Sequence, residues 1–164
     1  MSIRPRTIRP ETVTRPEITL VVSQYNRWIT EALERGAIEA IGRLAPDAVV
    51  TVLPVPGSWE LIAGASAAAE AGADVVVCLG CVIKGETEHD VFINQSVSQA
   101  LGALSMDLPV GFGLLTVSTA EQAEARAGGA MGNKGAEAVE AALATLGVTD
   151  ALLTRAELAS GDEA

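Results

Sequence analysis

The chain has 164 residues, of which 49% are hydrophobic and 20% are charged, and this balance indicates one folded domain and excludes a disordered chain. The formal net charge is −10, and basic residues are concentrated in residues 1–16. The acidic remainder would repel a nucleic-acid backbone, so we expect no nucleic-acid partner. No apolar run reaches the roughly 18 residues of a membrane span, and Pro and Arg interrupt the N-terminus where a secretory signal needs an apolar stretch, so we expect no membrane association and a cytoplasmic location.

Four apolar runs typical of strands alternate with helical patterns along the chain. The predicted strands cover residues 18–23, 48–53, 73–80 and 109–116. The predicted helices cover residues 29–44, 59–71, 88–106, a short segment capped by Ser118 and Glu121 and interrupted at Gly128–Gly129, and residues 132–146. Short connections of this kind predict right-handed crossovers and a three-layer α/β/α sandwich with a four-stranded parallel sheet. We expect an arm over residues 1–16, one domain over 17–154 and a polar tail over 155–164.

Cys78 and Cys81 have the C-x-x-C spacing of a redox dithiol or of half a zinc site. They lie at the end of a buried strand pattern, where an offset of three residues directs two side chains to opposite faces. The chain has no second cysteine pair and a single histidine. These observations favour a core role for Cys78 and no metal site, with Cys81 just past the strand and beside a ligand site.

In a parallel sheet, ligands bind at the carboxyl ends of the strands, so the segments that follow the strands are the candidate site. Tyr25, Trp59 and Phe92, three of the five aromatic residues, lie in or near these segments. In a chain that is only 3% aromatic, this clustering indicates a planar ligand. The alternative is that Phe92 and Phe112 simply pack in the core.

The stretch from Gly80 to His89 leads from the third strand to a helix N-terminus, where free backbone N–H groups and the helix dipole favour an anion. Thr87 adds a hydroxyl donor. His89 is suited to general acid/base catalysis because imidazole titrates near neutral pH, although a lone histidine can also be structural. Glu86 and Glu88 must point to solvent if an anion binds here.

The glycine-rich stretch over residues 128–135 is not a phosphate-binding loop of the P-loop type, because the residue order around its lysine is wrong. No dinucleotide fingerprint follows the first strand either. Arg126 and Lys134 flank this stretch and are either solvated charges or anion ligands.

Taken together, these motifs resemble the 6,7-dimethyl-8-ribityllumazine synthase family over about residues 16–147. The resemblance rests on five stretches in the same order and spacing, namely residues 21–26, 55–60, 80–89, 112–116 and 121–128 with 132–135. It implies a flavodoxin-like fold and a transferase of riboflavin biosynthesis. The implied reaction condenses 5-amino-6-(D-ribitylamino)pyrimidine-2,4-dione with 3,4-dihydroxy-2-butanone 4-phosphate to 6,7-dimethyl-8-ribityllumazine, with release of phosphate and water and without a cofactor or metal.

The resemblance also implies a role for each matching site residue. His89 would be the catalytic residue that moves protons. The phosphate group would bind Gly85, Glu86, Thr87 and Arg126. The pyrimidine ring and ribityl chain would bind Tyr25, Ser58, Trp59, Glu60, Val82, Ile83, Phe112 and Lys134. Of these residues, the resemblance assigns three to a neighbouring subunit, namely Phe112, Arg126 and Lys134.

Two residues depart from the family pattern. Lys84 stands where many members have arginine, and Asp90 stands where an aromatic residue commonly follows the histidine. Asp90 either orients His89 or favours the start of the helix.

The family further implies a homopentamer, which in some members closes into a 60-subunit shell, and an N-terminal segment that adds to a neighbouring subunit's sheet. It leaves riboflavin synthase open as a protein partner. A flavin- or lumazine-binding protein without turnover and a shell-building paralogue stay open as alternative functions.

Overall fold

The central sheet has four parallel strands, in a computed structural model that describes residues 7–9 and 12–161, with side chains up to residue 156. In chain order the strands are β1 (Glu17–Ser23), β2 (Val49–Val55), β3 (Val75–Ile83) and β4 (Val110–Val117). Their order across the sheet is β2-β1-β3-β4, so the predicted four-stranded parallel sheet is confirmed. Residues 1–6, 10 and 11 of the predicted arm and residues 162–164 of the predicted tail lie outside the described residues.

Helices cover both faces of the sheet. They are α1 (Arg27–Leu44), α2 (Leu61–Glu70), α3 (His89–Leu104), α4 (Ala120–Arg126) and α5 (Lys134–Gly161). One buried cluster joins α1 and α5 to one face of the sheet, and a second joins α2 and α3 to the other face. Alternate residues of the central strand β3 point into the two clusters, which is why β3 is apolar throughout. In β1, Ile18, Leu20 and Val22 point into the first cluster and Val21 into the second. The predicted three-layer sandwich is therefore confirmed.

A small antiparallel hairpin joins α4 to α5 where the sequence predicts an interruption. Its strands are β5 (Ala127–Gly129) and β6 (Gly132–Asn133). The Asn133 side chain fixes this hairpin to the two long helices: Nδ2 donates to the carbonyl of Ala32 in α1 at 2.8 Å, and Oδ1 accepts from the N–H groups of Gly135 and Ala136 at 2.9 and 3.2 Å. The hairpin and the start of α5 are therefore held against α1.

β3 and α5 extend furthest beyond their predicted ends. β3 continues to Ile83 because it pairs with β4 as far as Val117, so Cys81 lies within the strand and not past it. α5 continues to Gly161 instead of ending near residue 146, so the predicted tail is helical at its start. Residues 147–161 include three Ala and three Leu, which have high helix propensity even where no apolar face is repeated.

The N-terminal cap of α4 also differs from its prediction by one residue. Thr119, not Ser118, is the cap, and its hydroxyl accepts from the N–H of Gln122, whose side chain accepts in turn from the N–H of Ser118. Glu121, the predicted partner of the cap, takes part in neither of these two hydrogen bonds. Hydrogen bonds from its own backbone N–H and from Thr119 lower the pKa of the Glu121 carboxyl.

We expect Gly135→Ala to destabilise the fold strongly. A Cβ atom on Gly135 would collide with the carbonyl oxygen of Leu33 in α1. The free energy of unfolding should fall by about 1–3 kcal/mol, measured by urea unfolding. Gly42→Ala is the matched control, because a Cβ on this α1 residue would meet nothing within 4 Å and should raise the free energy of unfolding by about 0.5–1 kcal/mol. Effects of the same sign at both positions would contradict the packing described here.

Candidate active site

A cavity of about 490 Å³ opens at the carboxyl ends of β1, β2 and β3. Nine of the thirteen predicted site residues line it, namely Tyr25, Ser58, Trp59, Glu60, Val82, Ile83, Gly85, Thr87 and His89. The other lining residues are Asn26, Gly57, Cys81, Asp90 and Ile93. Three segments that are far apart in sequence therefore meet at the sheet edge that the topology predicts.

The loop after β1 places Tyr25 at the mouth of the cavity, where 69% of its surface is exposed. Asn26 follows in a left-handed conformation (φ 54°, ψ 46°) that asparagine tolerates better than most residues, and it immediately precedes α1. Its Nδ2 donates to the carbonyl oxygen of Cys81 in β3 at 3.0 Å. Asn26 thus ties two walls of the cavity together. Sequence reasoning assigned no role to Asn26, although an asparagine between a predicted strand and a predicted helix was a signal for such a turn.

The turn after β2 brings Ser58, Trp59 and Glu60 to the cavity. α2 begins at Leu61, two residues later than predicted, so Trp59 and Glu60 lie in the turn and not in the helix. Ser58 is 6% exposed, and a Cβ on Gly80 would lie 3.1 Å from its Oγ, so the glycine leaves room for the serine. Trp59 lines the cavity and is 51% exposed.

The loop after β3 leads directly into α3. The Lys84 N–H donates to the carbonyl of Val117 at 2.9 Å, which holds the start of the loop against β4. Gly85 and Thr87 then line the cavity, and His89 is the first residue of α3. Glu86 and Glu88 are exposed and do not line the cavity, as expected if an anion binds at this helix start.

Three further predicted residues lie apart from the cavity in the single chain. Phe112 is a half-exposed residue of the edge strand β4 and lies beside α3 in a separate groove. Arg126 donates to the carbonyl of Gln122, and Lys134 forms an ion pair with Glu137. The roles of Phe112, Arg126 and Lys134 therefore stay predictions.

The two cysteines are buried, free thiols that point into opposite core clusters, as the strand offset predicts. Burial raises the pKa of Cys78 to about 12 and that of Cys81 to about 11. Neither thiol is positioned or ionised to act as a redox pair or as a nucleophile. Cys81 nevertheless lines the cavity, through the strand that carries it.

The raised thiol pKa values predict that alkaline pH destabilises the fold. Unfolded thiols ionise near pH 9.0, whereas the buried thiols stay protonated up to about pH 11–12, so the unfolded state releases protons first. The stability contributed by the protonated thiols is full below pH 9 and is lost as the pH rises through this window. Urea midpoints measured from pH 8 to pH 11 should fall less steeply for Cys78→Ala than for the parent protein. Equal slopes would contradict the burial of an ionisable thiol.

Among the described residues, no group of three or more His, Cys, Asp and Glu side chains is arranged to hold a metal ion. None of the described helices is both long enough and apolar enough to cross a membrane.

Known proteins are similar to this chain over most of its length. The family model for 6,7-dimethyl-8-ribityllumazine synthase matches residues 15–150. The 6,7-dimethyl-8-ribityllumazine synthase of Rhodopirellula baltica is 43% identical over 134 residues, which cover 79% of this chain and 86% of the relative. The enzyme of the same name from Thermus thermophilus is 40% identical over 155 residues, which cover 92% of this chain and 99% of the relative. The chain therefore belongs to the 6,7-dimethyl-8-ribityllumazine synthase family.

Proposed function

We propose that the cavity at the carboxyl ends of β1, β2 and β3 is the active site of this lumazine synthase. The enzyme is a transferase of riboflavin biosynthesis. It condenses 5-amino-6-(D-ribitylamino)pyrimidine-2,4-dione with 3,4-dihydroxy-2-butanone 4-phosphate to 6,7-dimethyl-8-ribityllumazine and releases phosphate and water. The gathering of nine predicted residues around one cavity supports this location.

The pyrimidine substrate occupies the aromatic side of the cavity. Tyr25 stacks on its ring, beside Trp59, and the exposed ring surfaces of both residues are available for this contact. The end of β3 offers the backbone groups of Val82 and Ile83 to the ring. Hydroxyl groups of the ribityl chain donate to the Glu60 carboxylate, while Ser58 contacts the same chain.

The phosphate of the second substrate binds where the loop after β3 enters α3. Gly85, Glu86 and Thr87 supply backbone N–H groups there, and Thr87 also supplies its hydroxyl. In the described part of the chain, the lining includes the carboxylates of Glu60 and Asp90 but no lysine or arginine. A phosphate dianion needs a cation in such a site, and this need supports a shared site in which a neighbouring subunit supplies Arg126.

The neighbouring subunit also supplies Phe112 and Lys134, which contact the pyrimidine. Both lie on the surface of their own chain and outside its own cavity, as a donated residue must. The assembly is a homopentamer, which can close into a 60-subunit shell. The exposed apolar edge strand β2, with Val49, Val50 and Val52 each about 40% exposed, is where a neighbour's N-terminal segment adds to the sheet. We place the enzyme in the cytoplasm, with riboflavin synthase as a candidate partner.

His89 moves protons during the reaction. The 5-amino group of the pyrimidine attacks the carbonyl of the butanone phosphate, and loss of water forms an imine. Proton transfers by the imidazole assist this step and the elimination of phosphate. Holding the two substrates in one cavity supplies the larger share of the acceleration, since their encounter no longer limits the rate.

The test is to mix the purified protein with both substrates and to follow lumazine absorbance against the slow uncatalysed reaction. We expect acceleration, together with a pentamer or larger assembly in light scattering. An active monomer would refute the shared site. A protein that binds the substrates without accelerating their condensation would instead be a binding or shell-building protein.

A further inference from the structure

Among the described elements, the end of β3 has a strand partner on one side only. β1 pairs with β3 only as far as Leu79, whereas β3 continues to Ile83. Successive residues of a strand direct their backbone N–H and C=O groups alternately to its two sides. The Lys84 N–H donates to the carbonyl of Val117 in β4. The backbone groups of Cys81 and Ile83 therefore face the other side, beyond the end of β1.

Asn26 takes the place of the missing strand at Cys81. Its Nδ2 donates to the Cys81 carbonyl oxygen at 3.0 Å, which is the hydrogen bond that a further N–H of a longer β1 would make. Its own carbonyl oxygen accepts from the N–H groups of Ile29 and Thr30 at 2.9 and 3.2 Å, so its backbone is held by the start of α1. Asn26 therefore anchors the end of β3 to the start of α1.

Ile83 depends on this contact for the orientation of its backbone. It lies two residues beyond Cys81, on the same side of β3, and lines the cavity. Its side chain is apolar, so its backbone N–H and C=O are the only polar groups that it can offer to a ligand. A strand end that is held by both β4 and Asn26 offers these groups in one orientation, and a ligand then binds without the cost of ordering them.

We propose that Asn26 is a positioning residue, which holds the end of β3 so that the Ile83 backbone meets the pyrimidine substrate in a fixed orientation. The pyrimidinedione ring carries adjacent N–H and C=O groups, and the C=O and N–H of one residue are complementary to them. The Asn26 side chain acts through β3, because its donor is directed at Cys81. The role toward the substrate rests on the proposed location of the active site, whereas the effect of Asn26 on β3 does not.

Asn26→Gly tests the proposal, because glycine accepts the left-handed backbone conformation and only the side chain is removed. In the ligand-free protein, amide hydrogen exchange over residues 81–84, followed by mass spectrometry, should become about threefold to tenfold faster, since the end of β3 loses one of its two anchors. The KM for the pyrimidine should rise by a similar factor, and calorimetric titration with the pyrimidine alone should show the same loss of affinity. The KM for the butanone phosphate should change less than about twofold, because the proposed phosphate-binding loop lies beyond the Lys84 anchor.

Asn26→Asp distinguishes a role through β3 from acceptance of a hydrogen bond from the substrate. Aspartate has nearly the same shape and keeps an acceptor oxygen, but it replaces the Nδ2 donor with a second oxygen. At neutral pH this oxygen repels the Cys81 carbonyl, so pyrimidine affinity should fall at least as far as in Asn26→Gly. As the pH falls from about 7 to about 4, a protonated carboxyl group can donate to Cys81, and the affinity relative to the parent at the same pH should recover. Asn26→Gly should show no such recovery.

Gln24→Ala is the matched control. Gln24 lies in the same loop but outside the cavity, and its side-chain amide reaches only the carbonyl of Val22, in the preceding strand, at 3.5 Å. Its loss should leave the exchange over residues 81–84 and both KM values unchanged. Three results would overturn the proposal: full pyrimidine affinity in Asn26→Asp at neutral pH, reduced affinity in Asn26→Gly with unchanged exchange, or faster exchange with an unchanged KM for the pyrimidine. The second would indicate direct contact with the substrate, and the third a purely structural role.

The same measurements separate this proposal from the proposed function. A parent protein that fails to accelerate the condensation counts against the function, and comparison of hydrogen exchange and pyrimidine binding between the parent and Asn26→Gly still decides the role of Asn26. A parent protein that binds no pyrimidine counts against both. A parent protein that accelerates the reaction, with an Asn26→Gly variant that binds the pyrimidine equally well, counts against Asn26 alone.

Discussion

Arg126→Ala should weaken binding of 3,4-dihydroxy-2-butanone 4-phosphate by about 2–5 kcal/mol. The lower end of this range corresponds to an affinity about thirtyfold lower. The cavity lining of one described chain holds two carboxylates and no lysine or arginine, so the proposed site loses its principal counter-charge with this residue. Titration calorimetry with the butanone phosphate and with inorganic phosphate measures the effect. Arg43→Ala is the control, because Arg43 is an exposed residue paired with Glu140 and away from the cavity. Unaltered phosphate affinity in Arg126→Ala would remove Arg126 from the site.

Mixing two impaired variants distinguishes a shared site from a site within one chain. Arg126→Ala and His89→Ala disable different residues, and in the shared site these residues come from different subunits. When the two variants are unfolded together and refolded as mixed oligomers, about a quarter of the sites should combine an intact His89 with an intact Arg126. Activity should then exceed the mean of the two separate variants. Activity equal to that mean would place both residues in one subunit.

His89→Ala should lower kcat by about 10²-fold or less and leave the thermal unfolding midpoint unchanged. His89 is exposed and its side chain makes no hydrogen bond to the described residues, so its loss does not disturb the fold. The remaining activity comes from holding the two substrates together.

Initial rates of lumazine formation measure kcat and both KM values. Glu88→Ala, at the exposed preceding residue outside the cavity, should leave kcat unchanged. A parent-like kcat in His89→Ala would refute its catalytic role, and a fall well beyond 10² at unchanged substrate affinity would show a larger share for proton transfer.

The sequence predicts the layered fold because its local patterns and its tertiary packing agree. Residues 75–80 are apolar at every position, which is typical of a strand buried on both faces, and they lie in the central strand β3. The errors fall at the ends of elements. The end of β3 depends on pairing with β4 as far as Val117. The end of α5 depends on helix propensity over residues 147–161, where no repeated apolar face marks the helix.

The site residues likewise include some that the sequence alone locates and some that it does not. Strand ends locate Tyr25, Trp59 and the loop before His89 from topology alone, because the segments after parallel strands share one edge of the sheet. The role of Glu60 came from the resemblance to the family. Residue type and position alone made His89 a candidate for acid/base catalysis but left a structural role open, and the resemblance decided between the two. Which chain supplies Arg126 depends on how subunits pack, and the pattern of one sequence does not contain that information.

The hairpin between α4 and α5 has a consequence for assembly in the proposed shared site. Arg126 immediately precedes it, Lys134 immediately follows it, and Asn133 fastens it to α1 through the carbonyl of Ala32. The spacing between the two cations is therefore set within the chain that donates them. Neighbouring subunits need to reach only one correct relative orientation, after which both charges arrive together. A change in the hairpin would alter the site of the next subunit and leave the chain's own cavity unchanged. The folding of one chain therefore determines how its neighbour binds both substrates.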